Sequence, residues 1–399
     1  MKILVDQAMP YWQDYFSSLG DVESFKAGDI HKHQLSNVNV LLVRSTTKVD
    51  GALLQCMPNL RFIGTATAGY DHLDIAAIES KGIAWSAAGG CNASAVTQYV
   101  ICALLSLACK DGFLLSHKTI AIVGYGNVGK RVTKGLTGLG ATLRIYDPPL
   151  QHVEATTGAT CTTTFVPFEQ VLSADIICVH APFNSVPEYP SLHLFDASVL
   201  ARLSPQQYLL NAGRGELIDN QALLKLKQSK QHNSVQLVLD VWENEPFINT
   251  ELIPHCLLSS AHIAGHTLEG KALGTHMLYE TLCELIETPP SVALSALLPT
   301  YKLLIPNNLQ GALNTRSELS DMEIQTFVKE LCFCVYDIEN DDSVFRRYMA
   351  QSASFAKLRQ QYPVRREFSA AKVQAFNTKI QEYLRALGFI ISNGSATPP

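Results

Sequence analysis

None of the ten cysteines falls in a CxxC pair, which argues against a thiol–disulfide redox motif and against zinc sites of the ribbon type. Cys102, Cys109, Cys178, Cys332 and Cys334 sit in apolar runs, where cysteine behaves as a small hydrophobe. They are read as reduced thiols of a cytoplasmic protein. No apolar run reaches the roughly 18–20 residues of a membrane span, so no membrane partner is expected. The start MKILVDQAMP lacks the long apolar core of a signal peptide and reads as a first β-strand. Basic charge is also short, with 31 Lys and Arg against 36 Asp and Glu and a net charge of −5. A nucleic-acid binder would be expected to carry a basic face, so that partner class is set aside. Charged residues make up only 17% and apolar ones 47% of the 399 residues. That balance excludes a disordered chain and leaves room for two or three domains, each with its own core.

What is present is an alternation of short apolar strands and helical stretches. KILVD, VNVLLVRS and RFIGTATAG read as successive strands of a parallel sheet, each ending in small or polar residues where such sheets place ligands. A long helix comes next at NASAVTQYVICALLSLACKDG, with Asn92 as its cap and Lys110-Asp111-Gly112 as its stop. Further strands are expected at TIAIV, LRIYD, ADIICVHAP, QYLLNAG, SVQLVLDVW and CLLSSAH. From about residue 290 the character changes to a proline-rich connection and then a smaller α+β region. The reading divides the chain into 1–93, completed by about 263–289, then 94–262, then 290–392, with a disordered tail at 393–399. No internal repeat is visible beyond the αβ alternation.

The segment GYGNVG comes directly after the apolar strand TIAIV and opens a helix. Gly124 permits the tight turn, Gly126 lets the backbone approach a pyrophosphate, and Gly129 lets helix and strand pack closely. Asn127 and Val128 complete the turn at the helix N-terminus, whose free N–H groups and positive dipole end favour an anion. Asp147 ends the next strand, eighteen residues after Gly129. A carboxylate there accepts both ribose hydroxyls of NAD and repels the 2′-phosphate of NADP. The expected cofactor is NAD.

Three segments lie at the ends of the later strands. In NAGRGELID, Arg214 stands between two glycines, the setting of a bidentate clamp for a carboxylate, and Asp219 can cap the next helix. In LDVWENEP, Asp240 ends a strand interior and must have a defined partner there, while Glu243 and Glu245 compete for any catalytic role. In AHIAGH, His262 can exchange a proton near neutral pH, and a carboxylate at hydrogen-bond distance would orient it. A metal pair of His262 and His266 is disfavoured, because Gly265 and the strand-end context break a helical pair and no glutamate comes directly after the first histidine.

GYGNVG, NAGRG, LDVWENEP and HIAG, in this order and spacing, resemble the D-2-hydroxyacid dehydrogenase family. The resemblance implies a Rossmann-type doubly wound nucleotide-binding domain and a flavodoxin-like α/β substrate, or lid, domain. It also implies that Arg214, Glu245 and His262 carry the reaction, since the family's glutamate stands immediately before the proline of the third motif. Asp240, Ala181 and Gly265 would lie near the cofactor. Further segments, MKILVDQAMPY, GTATAGYDHLD, HTLEGKALGT, VYDIENDD and FAKLRQQYPVRREF, resemble one branch of that family. Its members act on a phosphorylated 2-hydroxy acid and carry a C-terminal α+β dimerisation domain, so a homodimer is implied. By this resemblance Ser45 and Thr67 contact the substrate. Arg44, Ser45 and Lys48 of VRSTTK stand at a strand end and offer donors for its phosphate.

Two positions depart from the branch. Its members usually have a tyrosine four residues after the catalytic histidine, where this chain has His266, and a threonine where it has Ala181. His266 is therefore assigned to substrate contact. A dehydrogenase of another D-2-hydroxy acid, such as glycerate or 3-phosphoglycerate, is the nearest alternative. A non-catalytic NAD-sensing protein, as some corepressors of this family are, is a third reading. The loop AAGGCN at 87–92 is the expected hinge of a closing cleft.

Overall fold

The structure is a computed structural model. It describes residues 1–399 apart from 158–162, 186, 230–233, 308, 310–318, 352–353, 376 and 393–399, so the expected tail lies outside the described residues. Two compact units divide the chain: Met1–Ser94 with His266–Thr300, and Ala95–Gly265 with Tyr301–Pro399.

The first unit is built on five parallel strands, β1 (Lys2–Asp6), β2 (Asp21–Phe25), β3 (Val40–Val43), β4 (Phe62–Thr65) and β5 (Ala84–Ala87). Their order is β2-β1-β3-β4-β5, the flavodoxin arrangement. β3 and β4 are buried at every position because helices cover both faces. Leu4, Leu41 and Ile63 meet Leu53 and Ile78 on one face. Ile3, Leu42 and Phe62 meet Leu278 and Leu282 on the other. The sequence reports the three inner strands and not β2 or β5. Those two lie at the sheet edges, where only one side is paired, and their residues are half-exposed and partly polar. The helix Leu268–Leu285 belongs to this unit, capped by the Thr267 hydroxyl, which accepts from the Gly270 N–H.

The second unit holds six parallel strands, β6 (Thr119–Val123), β7 (Thr142–Tyr146), β8 (Ile176–Val179), β9 (Tyr208–Asn211), β10 (Gln236–Leu239) and β11 (Leu258–Ser259). Their order is β11-β10-β9-β8-β6-β7, so the winding reverses between β6 and β8. Side chains alternate strictly across this sheet. Ile120, Ile122, Cys178, Leu210 and Val238 face one core. Ala121, Val123, Val179, Leu209 and Leu239 face the other.

The first of these cores is completed by the C-terminal region. Helices Asp321–Val335 and Thr378–Leu387 bring Phe327, Val328, Leu331, Ile380 and Leu384 to the same cluster as Val100, Leu104 and Leu107 of the helix Ala93–Asp111. That central helix is long and apolar enough, by length and composition alone, to cross a membrane, a property the sequence reading grants to no run. In the structure its inner side chains are enclosed within this core, the ordinary setting of an apolar helix in a packed domain. The helices Asp321–Val335 and Thr378–Leu387 thus share a core with the nucleotide-binding fold. Among the described residues nine cysteines are free thiols.

Candidate active site

The turn after β6 is formed as its glycines require. Gly124 has φ +92°, and a Cβ there would stand 2.5 Å from the Ala181 nitrogen at the end of β8. A Cβ on Gly129 would stand 2.1 Å from the Gly124 carbonyl oxygen. Around Gly126, by contrast, a Cβ would meet nothing within 4 Å. Gly126 is the N-cap of the helix Asn127–Gly138, with no side chain capping it, and the first N–H groups of a helix have no partner within it. The turn lies at the point where the strand order reverses, a place and a shape that could hold a pyrophosphate. Asp147 stands at the end of β7, its Oδ2 accepting from the Tyr125 N–H at 2.7 Å and its Oδ1 from the Leu150 N–H at 2.9 Å. The carboxylate is fixed by backbone donors, and each oxygen keeps a lone pair for a ribose hydroxyl.

On the later strand ends, Asn211 closes the Arg214 turn. Its Oδ1 accepts from the Gly213 N–H at 3.0 Å, and its Nδ2 donates to the Arg214 carbonyl at 2.9 Å. A Cβ on Gly215 would lie 2.0 Å from the Trp242 backbone, so the arginine turn is pressed against the WENEP loop. Asp219 caps the next helix through the Ala222 N–H, in agreement with its place in the sequence.

Asp240 is almost fully buried, at 1% exposure. Its carboxylate accepts from Ser260 Oγ at 2.7 Å, the Ile263 N–H at 2.8 Å and the Ala264 N–H at 3.0 Å. The partner that a buried charge demands is therefore the HIAG loop itself. Tyr99 extends the chain, its hydroxyl 2.9 Å from Ser260 Oγ. His262 lies at φ +54°, a conformation costing on the order of 1–3 kcal/mol for a non-glycine residue. The bond from its N–H to the Asp240 carbonyl, at 2.7 Å, helps hold it there.

The two glutamates of WENEP separate at Asn244, whose φ of +59° turns the loop. Glu245 Oε2 lies 2.7 Å from His262 Nδ1, and its Oε1 accepts from the Trp242 N–H at 3.0 Å. Burial raises the Glu245 carboxyl, but His262, the Trp242 N–H and Arg359 outweigh it and hold the group below the usual carboxylate range. Nδ1 thus faces a carboxylate, while Nε2 has no partner among the described residues. A base so arranged presents one nitrogen to a ligand and keeps the other oriented.

Glu243 turns away to His193 Nε2, at 2.6 Å, and accepts from the Asn220 N–H at 2.7 Å. With Asp219 these side chains place three ligand atoms within 4.8 Å of one another. Each carboxylate already has protein donors, and nothing further points to an ion there.

The remaining substrate candidates are in the first unit. Arg44 is half-buried, donating from Nη1 to the Ala8 carbonyl at 3.1 Å, and Ser45 is exposed. Lys48 extends to Asp50 at 3.7 Å. Thr67 Oγ1 lies 2.7 Å from Thr65 Oγ1 and donates to the Gly69 carbonyl at 2.8 Å. His266 opens the segment that leads into the helix Leu268–Leu285.

Residues 107–264 match the family model described as the NAD binding domain of D-isomer specific 2-hydroxyacid dehydrogenases. Residues 309–388 match a domain of unknown function. Erythronate-4-phosphate dehydrogenase of Proteus mirabilis (strain HI4320) is 43% identical over 391 residues, covering 98% of this chain and 99% of its own. That of Pseudoalteromonas atlantica (strain T6c / ATCC BAA-1087) is 41% identical over 389 residues, covering 98% and 99%.

The chain belongs to the erythronate-4-phosphate dehydrogenase family.

Among solved structures, an NAD-dependent formate dehydrogenase from Staphylococcus aureus in complex with NAD is 25% identical. It covers 72% of this chain and 97% of its own, with a TM-score of 0.57. A D-lactate dehydrogenase from Aquifex aeolicus, 18% identical with a TM-score of 0.56, shares the fold. Within this family member, the sequence reading does not reach Asn211, Ser260, Tyr99 or His193. Ser260 is legible only as part of an apolar strand end. Tyr99 is separated from it by 161 residues, a distance at which no local pattern signals contact.

Proposed function

We propose that the protein is an NAD-dependent dehydrogenase that oxidises the 2-hydroxyl of 4-phospho-D-erythronate to the 2-oxo acid, (R)-3-hydroxy-2-oxo-4-phosphooxybutanoate. This is a step of pyridoxal 5′-phosphate (vitamin B6) biosynthesis. The observation that carries the chemistry is the His262–Glu245 pair, 2.7 Å apart at the end of a strand, with Nε2 open. The full-length identity to erythronate-4-phosphate dehydrogenases supports the substrate.

NAD, when bound, supplies the hydride acceptor. Gly124, Gly126, Asn127, Val128 and Gly129 would hold its pyrophosphate, Asp147 its ribose, and Ala181, Asp240 and Gly265 would lie along it. His262 takes the hydroxyl proton at Nε2, and in the reverse direction returns it. Glu245 holds the imidazole and stabilises its charged form as the proton arrives. Arg214 clamps the carboxylate and polarises the reacting oxygen. Arg44, Ser45, Thr67 and His266 are assigned to the remainder of the substrate. Ala181 offers no hydroxyl where its relatives usually have one, which affects affinity more than proton transfer.

A homodimer is part of the same proposal. Tyr348, Val364 and Ile390 in the C-terminal region are exposed apolar side chains available to such a contact. A cytoplasmic location fits the reduced thiols and the substrate.

The test is a substrate panel with the purified protein, following cofactor reduction. Turnover of 4-phospho-D-erythronate well above that of D-erythronate, D-glycerate and 3-phosphoglycerate is expected, and equal turnover with and without the phosphate would remove the assignment. H262N should abolish most turnover and leave NAD affinity nearly intact.

A further inference from the structure

The helix Phe355–Gln360 is pinned against the catalytic loops at both ends. At its start, Phe355 packs on Phe345 with ring centroids 6.2 Å apart, and Phe345 packs on Trp242 at 5.7 Å. Trp242 is the residue whose N–H holds Glu245. Beyond its end, the Tyr362 hydroxyl donates to Asp341 at 2.6 Å. Arg365, only 5% exposed, donates to the carbonyls of Ala264 and Ala95, and Ala264 is two residues past His262. The Arg366 carbonyl accepts from Gln98 Nε2 at 3.1 Å.

Arg359 lies on this helix and is half-buried. Its carbonyl accepts from the end of the helix, but its guanidinium has no hydrogen bond or ion pair with any described residue, although Glu245, Asp240 and Arg214 lie within electrostatic reach. Burial pushes the guanidinium down from its ordinary value, Glu245 and Asp240 push it back up, and Arg214 pushes it down again. Both carboxylates are already committed, Glu245 to His262 and Trp242, and Asp240 to the HIAG loop. Arg359, with all five donors unspent among the described residues, is a cation here without an anion of its own. A substrate with a carboxylate at one end and a phosphate at the other brings two.

We propose that Arg359 binds the phosphate of the substrate while Arg214 takes the carboxylate, so that the C-terminal region supplies a binding residue to the active site of its own chain. This rests on the phosphorylated substrate proposed above. It gives residues 309–388, matched only to a domain of unknown function, a part in recognition.

The experiment uses the full-length protein and two variants, R359M and R359K. Expected for R359M is a KM for 4-phospho-D-erythronate raised about 10- to 150-fold, the loss of a charge-assisted hydrogen bond, with kcat within about threefold. R359K should recover part of the affinity, since an ammonium keeps the charge and loses the fork. Any loss with D-erythronate, which has no phosphate, should be smaller than the loss with 4-phospho-D-erythronate in the same variant, because the charge of Arg359 also acts on Glu245. Calorimetric titration of the NAD-bound protein with inorganic phosphate reads the same site without turnover, and should show binding in wild type that R359M loses.

A KM within twofold of wild type, together with unchanged phosphate binding, overturns the proposal. So does a rise in the NAD dissociation constant without loss of phosphate binding, which would place Arg359 on the cofactor. If wild type shows no preference for the phosphorylated acid, the substrate reading fails instead. The phosphate titration still decides Arg359 in that case.

Discussion

Replacing Glu245 by glutamine keeps the shape of the side chain, removes its charge and leaves one acceptor where two are needed. Glu245 serves two donors with two oxygens, His262 Nδ1 at 2.7 Å and the Trp242 N–H at 3.0 Å. Glutamine has one oxygen, so one donor must face an NH2 group. If the oxygen stays with His262, the Trp242 N–H is left unpaired at a cost of about 1–3 kcal/mol in stability. If it turns to Trp242, the imidazole loses its anchor. In either arrangement the imidazolium formed on proton transfer loses a carboxylate partner, a charge-assisted bond worth roughly 1.5–3 kcal/mol. At about 1.36 kcal/mol per tenfold, kcat should fall by about 10- to 150-fold. NAD affinity should stay within about twofold, since no cofactor residue is touched. Steady-state kinetics with a saturating substrate, beside a thermal melt, reads both quantities. A variant with kcat within threefold of wild type and an unchanged melt would refute the reasoning, because the two donors cannot both be satisfied.

Other perturbations separate close neighbours. G126A adds a methyl to open space, so the melting temperature should stay within about 2 °C while the NAD dissociation constant rises at least tenfold. G129A puts the same methyl 2.1 Å from a carbonyl oxygen and should lower the melt sharply before any effect on NAD is measured. Asp342 accepts from both the N–H and hydroxyl of Ser259 at 2.7 Å and binds Arg346. D342A leaves those donors unpaired, and a loss of roughly 2–5 kcal/mol in urea unfolding is expected. Burial pushes His72 down from 6.5 to about 4. Above pH 6.5 the ring is neutral folded and unfolded, and it contributes nothing to the pH dependence. Between pH 6.5 and about 4 only the unfolded chain takes up the proton, so stability falls, by at most about 3 kcal/mol, and then levels off. H72Q should flatten that part of the urea-midpoint profile, and an equally steep profile in the variant would contradict it.

How much of the fold and the site is legible in the sequence depends on how local each signal is. The glycines of GYGNVG act on neighbours a few residues away, so their spacing alone reports the turn. The inner strands announce themselves because both faces are buried, whereas β2 and β5 at the edges do not. Glu243 and Glu245 are two residues apart and chemically identical. Residue by residue they cannot be separated; the family resemblance selects Glu245 by the proline after it, and the loop turned by Asn244 brings one to His193 and the other to His262. Asp240 can be expected to have a partner, but that the partner is the backbone beyond His262 depends on the pairing of β10 with β11. Arg359 has no signal at all. An arginine in a polar amphipathic stretch reads as surface until the aromatic contacts through Phe355 and Phe345 bring its helix to Trp242.

The shared core of the helix Ala93–Asp111 and the C-terminal helices has a consequence for biosynthesis. The ribosome delivers strands β6–β11 long before Phe327, Ile380 and Leu384, which cover one side of that helix. At about 5–20 residues per second, the nascent chain carries an uncovered, membrane-like apolar helix for several seconds or more. During that interval the cofactor cradle can already be wound while its core is unfinished. The chain's most vulnerable moment is therefore the interval before residues 321–387 emerge, when a hydrophobic helix waits for residues still inside the exit tunnel.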